Sequence, residues 1–111
     1  MVVAIAFLLA AATGALARAL IGRTLNAAFP WGTWAVNVTG SFVLGLVAHG
    51  SAVVATVVGT GLLGTYTTFS SYARDAVALW EREQRSAAVI YVVSTVVACI
   101  SAAWVGLLLL D

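Results

Sequence analysis

The chain has no lysine, and its charged side chains are five arginines and four acids in 111 residues. A soluble domain of this size is about a quarter charged; here the share is 8%, against 63% hydrophobic. That deficit excludes an ordinary soluble domain and marks an integral membrane protein with little chain left over for anything else. The net charge of +1, with no basic patch, excludes a nucleic-acid-binding surface. A single cysteine, Cys99, excludes a disulfide within the chain, and its apolar surroundings make it a small buried residue. The lone histidine, His49, falls at a helix end and argues against an imidazole-built metal site. No glycine-rich phosphate loop follows a strand, and no carboxylate pair lies in the apolar runs, so enzymatic activity is not expected.

What is present is apolar length. Four runs stand out, at about 2–22, 31–50, 52–79 and 86–110. About 20 residues cross a hydrocarbon layer of about 30 Å as a helix, so each run qualifies as a span of one transmembrane domain over 1–111. The only proline, Pro30, precedes the second run. Connections are short, so neighbouring helices should run antiparallel and both termini should share one side. Ala15-Leu16-Ala17 imitates a signal-peptide cleavage site, but Met1-Val2-Val3 offers no basic leader, so the first run is expected to be retained. Arg23, Arg82 and Arg85 lie in the first and third connections, with Arg74 near the same end. The positive-inside rule places that end in the cytoplasm. Trp31, Trp34 and Trp80 near helix ends fit an interfacial belt.

The third run carries Gly61-Leu-Leu-Gly-Thr-Tyr-Thr-Thr-Phe-Ser-Ser-Tyr72. Glycine weakens a helix by ~1 kcal/mol relative to alanine, and clustered Thr and Ser compete for its backbone bonds. Broken backbone at membrane depth is tolerated only where it is buried in protein or lines a polar path. The third helix should therefore break near its middle, beside an ion site or a pore. Carbonyls freed there, at Gly64 and Thr67, are the oxygen ligands a hard cation such as Na⁺ takes; the alternative is an unbroken helix with a tight small-residue contact.

Other polar side chains fall on helical faces. Thr33, Asn37, Gly40 and Ser41 recur at spacings of three and four, and Asn37, Ser41 and Gly45 form a narrow stripe. Such a stripe serves either close helix packing or a row of neutral donors for a dehydrating anion. Phe69 and Tyr72, three apart, point in similar directions; an aromatic edge is electropositive and can face an anion. Tyr91, Thr95 and Cys99 share a face of the fourth run, as interhelical glue or as pore lining. Arg18, within the first run, either snorkels to the interface or faces an anion vestibule. Asp75 has two readings, a helix cap or a partner for Arg74 of a neighbouring chain.

Three fragments carry a resemblance: Gly14-x-x-x-Arg18, Gly32-Thr33-x-x-x-Asn37-x-x-Gly40-Ser41-Phe42-x-x-Gly45, and Gly61-x-x-Gly64-x-x-Thr67-Thr68-Phe69-Ser70, extended by Tyr91-x-x-x-Thr95 and Gly106. In order and spacing the chain resembles the small bacterial fluoride channels of the CrcB/Fluc family. The resemblance implies an all-α membrane fold, an antiparallel dimer with two pores, and passive export of fluoride across the inner (cytoplasmic) membrane. Asn37 would donate its amide to fluoride and Phe69 its ring edge. Ser41, Thr68, Tyr91 and Thr95 would belong to the polar lining, and Arg18 to the entrance. The carbonyls of Gly64 and Thr67, with the same groups of the partner, would hold one structural Na⁺. Three positions depart from the family: Tyr72 stands where a second Phe is usual, Thr65 where Gly is, and Thr95 where Ser is common. The one-sided arginines fit a fixed orientation, with a homologous chain inserted the other way as heterodimer partner, better than the charge-balanced insertion that an antiparallel homodimer requires. Competing readings are a structural or pore-impaired subunit, and a four-helix multidrug transporter; the latter needs a carboxylate deep in the first helix, where this chain has none.

Overall fold

The computed structural model describes residues 1–110; Asp111, the last of the four acids, lies outside them. The described residues build an all-helical bundle of four helices, 49 × 28 × 18 Å. Helix one is Val2–Leu25, helix two Trp31–Val47 and helix four Arg85–Leu109. Helix three occupies the run from Ala52 to Glu81 in two arms, 52–66 and Phe69–Glu81. The runs 2–25, 52–81 and 85–109 are long and apolar enough to cross a membrane. Helix two is not: it stops at Val47, earlier than expected, and its 17 residues rise only about 25 Å. Ser51 then starts the next helix, its hydroxyl accepting from the Val54 N–H at 3.3 Å.

Missing side chains set the packing. A β-carbon on Gly45 would run into the Ala103 carbonyl, and one on Gly106 into the Phe42 carbonyl, so helices two and four cross backbone to backbone. Gly14 likewise admits the Leu62 carbonyl and the Thr65 hydroxyl, seating helix one on the first arm of helix three. Thr65 secures that contact by donating to the Ala11 carbonyl at 2.8 Å. Gly45 therefore serves packing, not the polar stripe with which its spacing groups it.

In the first arm, Ala55–Leu63 is a nine-residue π-helix, followed by the Gly64 N–H bonding the Gly59 carbonyl. Composition offers no signal for it. Its wider turn changes which residues of the arm face helix one and which face helix two. The buried apolar centre is small: Leu79, Ala88 and Tyr91, with Phe29, Trp34 and Tyr72 packed around it. Elsewhere apolar side chains face outward, as Leu8 and Leu9 do on helix one and Val97 and Ile100 on helix four. That pattern suits lipid as the solvent. Between Glu81 and Arg85 the chain reverses through a Schellman turn. Gln84 N–H bonds the Leu79 carbonyl and Glu83 N–H the Trp80 carbonyl, with Glu83 at φ 61° where glycine is usual.

Candidate functional site

The site is built on the two residues between the arms of helix three. Thr67 (φ −75°, ψ 156°) and Thr68 (φ −148°, ψ 124°) are extended, not helical. Asn37 of helix two meets them. Its Oδ1 accepts from the Thr68 N–H at 2.8 Å, and its Nδ2 donates to the Thr68 carbonyl at 2.9 Å. Both residues are 8% exposed, so water does not replace these bonds. Thr68 then caps the second arm, its hydroxyl oxygen accepting from the Ser71 N–H at 3.1 Å.

These bonds have a consequence for the carbonyls. In a continuous helix the Thr68 N–H would bond the Gly64 carbonyl and the Ser71 N–H the Thr67 carbonyl. Here the first donor goes to Asn37 and the second to the Thr68 side chain. Gly64 and Thr67 thus lose the donors that would occupy their oxygens, and both residues line a groove along the bundle. Two neutral carbonyl oxygens relieved of their helical donors are the right chemistry for a hard monovalent cation.

That groove has a volume of about 440 Å³. Asn37, Ser41, Thr68, Phe69, Tyr72 and Thr95 all reach it, from helices two, three and four. Ser41 donates to the Asn37 carbonyl at 2.7 Å, and Thr95 to the Tyr91 carbonyl at 2.6 Å. Tyr72 spans to helix four, donating to the Val92 carbonyl at 2.9 Å. The Phe69 ring lies 5.8 Å from that of Tyr72 and is 78% exposed, standing out from the bundle. Cys99, expected to be a buried apolar residue, is only partly buried and lines the groove on the face it shares with Thr95.

Tyr91 is placed differently. It is fully buried, lines neither the groove nor the cavity described next, and its hydroxyl is turned toward Thr33 and Asp75 without a well-formed hydrogen bond among the described residues. Its ring packs edge-on to Phe29 at 5.4 Å and against Tyr72 at 5.4 Å. Arg18 also lies away from the groove. It lines a second cavity of about 220 Å³ together with Arg23, Asn26, Ser71, Arg74 and Thr68. Three arginines on the lining of one small cavity favour anions there, with the Asp75 carboxylate, bonded to Thr33 of the same lining, as the opposing charge. Sequence reasoning assigned only Arg18 to such a vestibule; Arg23 and Arg74 join it because two distant segments meet there.

Asp75 was open to two readings, and the structure gives it a partner 42 positions away: Thr33 donates to its carboxylate at 2.9 Å. Asn26 completes the link, accepting from the Thr33 N–H at 3.1 Å and donating to the Thr33 hydroxyl at 3.3 Å. The start of helix two is thereby tied to the second arm of helix three. No local pattern marks this contact.

A family profile described as "CrcB-like protein, Camphor Resistance (CrcB)" matches residues 5–107. Among named proteins, the chain is 45% identical over 93 residues to Fluoride-specific ion channel FluC of Chelativorans sp. (strain BNC1), covering 78% of this chain and 74% of that one. It is 38% identical over 109 residues to Fluoride-specific ion channel FluC of Agrobacterium fabrum (strain C58 / ATCC 33970), covering 88% and 87%. It is 40% identical over 110 residues to Fluoride-specific ion channel FluC 1 of Brucella melitensis biotype 1, covering 86% and 89%.

Proposed function

The chain belongs to the CrcB-like family, and on that premise we propose that it is a fluoride-selective channel that exports the anion passively across the cytoplasmic membrane. The observation that carries this reading is the clasp between Asn37 and Thr68 at the break in helix three. It holds neutral donors on a groove that adjoins an arginine-lined cavity. Fluoride enters an acidified cell as neutral HF, dissociates and is trapped. A leak for the anion alone relieves the load without an energy source.

In this reading the cavity lined by Arg18, Arg23 and Arg74 concentrates anions. Asn37 offers an amide hydrogen, and Phe69 turns its electropositive ring edge to the ion. Ser41, Thr68, Tyr72 and Thr95 form the wall. Neutral ligands bind a dehydrated anion weakly enough to release it. Tyr91 supports the wall from behind.

The groove is open along one side, and Phe69 projects from it. A second chain, inserted the opposite way, would close the groove and make two equivalent pores. The carbonyls of Gly64 and Thr67, with those of the second chain, would hold one Na⁺; bound there, the ion supplies positive charge that fixes the break and joins the subunits. Relatives numbered as FluC 1 and FluC 2 occur in Brucella, which suits a homologous second chain as well as an identical one.

The test is fluoride efflux from liposomes holding this protein alone, read with a fluoride electrode and compared with chloride. Rapid fluoride-selective efflux supports a self-sufficient channel. Silence from well-folded protein that persists on co-expression with a homologous chain overturns the channel reading; restoration by that chain makes the assembly heteromeric.

A further inference from the structure

Hydroxyl groups are plentiful on the groove, but most have already given their protons away. A hydroxyl has one proton to donate. Ser41 has given its own to the Asn37 carbonyl, Thr95 to the Tyr91 carbonyl, Thr67 to the Leu63 carbonyl and Tyr72 to the Val92 carbonyl, at distances from 2.6 to 2.9 Å. These are good hydrogen bonds, and an anion would have to break one to gain one.

Thr68 is the exception. Its oxygen accepts from the Ser71 N–H, which leaves its own proton uncommitted. Ser70 Oγ, its other neighbour, is 3.4 Å away, beyond the usual range for a strong O–H···O bond. Asn37 has a similar surplus. One of its two amide hydrogens goes to the Thr68 carbonyl, and the other takes no part in that bond. Thr68 is also the one residue that lines both the arginine-lined cavity and the groove. An anion moving from one to the other passes it.

Resting on the channel reading above, we infer that Thr68 supplies the hydroxyl proton to the anion at the neck between cavity and groove, and hands it on to the free amide hydrogen of Asn37. The cap and the donor are two uses of one hydroxyl: the helix N–H fills an oxygen lone pair and so turns the proton toward the path. Tyr72 then serves the pore through its ring. Its hydroxyl acts as a pin to helix four.

The experiment compares wild type with Thr68→Ser, Thr68→Val, Thr68→Ala, Thr68→Asn and Thr68→Asp in the liposome assay, after size-exclusion chromatography has shown each to be monodisperse. Ser, Asn and Asp all keep an oxygen to cap the second arm; Asp lacks the proton when ionised. Flux should stay within about threefold of wild type for Ser and fall by about tenfold or more for Val and Asp, as expected when a hydrogen bond to a charged partner is lost. Asn should conduct better than Asp by about the same factor. Asp also brings a charge that repels the anion by itself, so Thr68→Ala compared with Thr68→Ser decides the matter should Thr68→Val aggregate, and wild-type flux in a folded Thr68→Ala overturns the proposal as well. Wild-type flux in Thr68→Asp, or in a folded Thr68→Val, overturns the proposal. So does a loss of about tenfold in Tyr72→Phe with flux retained in Thr68→Val, which would move the donated proton to the phenol. A silent wild type is a different failure, since it removes the channel reading before any variant is measured.

Discussion

Replacing Asn37 by leucine is the most searching perturbation of this site, because shape is nearly kept while both bonds to Thr68 are lost. The Thr68 N–H and carbonyl are then left in a place 8% exposed, where water does not reach easily. The stability cost has two bounds. Two bonds of the kind measured between membrane helices, at about 0.6 kcal/mol each, give a lower figure of about 1 kcal/mol. Two bare buried groups, at about 1–3 kcal/mol each, give an upper figure of about 6 kcal/mol. The upper range should not be reached, because the Thr68 N–H has an alternative acceptor: the Gly64 carbonyl, one helical turn back. A loss of about 1–3 kcal/mol follows, with the break partly healed into helix. Flux should fall further than stability, since the amide donor and the extended backbone of Thr68 disappear together. The loss of one bond to a charged ligand alone corresponds to about tenfold or more in rate. Asn37→Asp tests the donor side of the clasp. It keeps an oxygen for the Thr68 N–H but turns a second acceptor on the Thr68 carbonyl in a site 8% exposed, so when ionised it should destabilise at least as much as Asn37→Leu, and its charge should block fluoride. Thermal unfolding in detergent and fluoride efflux from liposomes measure the two quantities on one preparation. Wild-type efflux from Asn37→Leu would refute the role of the clasp in conduction. Wild-type stability in Asn37→Leu would refute the hydrogen-bond account of the break.

Other expectations follow from the same geometry. Gly45→Val or Gly106→Val forces helices two and four apart and should cost about 1–3 kcal/mol or prevent folding, read as loss of the monodisperse peak in detergent. Glu83→Gly removes a side chain from a left-handed turn and should stabilise by about 1 kcal/mol, measured as a raised melting temperature; a lowered one would assign Glu83 an interaction stronger than its strain. Neutralising Arg23 and Arg74 to Gln should slow fluoride efflux most at low ionic strength, and the gap should narrow in about 0.5 M salt, where the screening length is a few ångströms; a salt-independent deficit would point to a packing role instead. Replacing Na⁺ by a large organic cation during purification should lower both flux and thermal stability if Gly64 and Thr67 hold the ion, and Li⁺ or K⁺ should restore them incompletely.

Composition and period carried the membrane reading, because apolar length and scarcity of charge are properties of the chain alone. Three of the four runs are long and apolar enough to span, and the small residues at Gly14, Gly45 and Gly106 sit at close helix crossings. The polar face of helix two was legible in its spacing. What that face touches was not: Asn37 meets Thr68 across 31 positions, and Thr33 meets Asp75 across 42. No local rule couples residues so far apart. The π-helix of the first arm escaped for a related reason, since a widened turn is selected by the surfaces around it and leaves no compositional mark. The side chains on the groove show the limit most clearly. The residue type determined that Ser41, Thr68, Tyr72 and Thr95 each carry one donor proton. The helices themselves commit the protons of Ser41 and Thr95, each to the carbonyl four residues back. Only the tertiary structure decided that Tyr72 reaches Val92 across 20 positions and that Thr68, held extended by Asn37, keeps its proton, because those partners are brought within reach by packing and not by helical period.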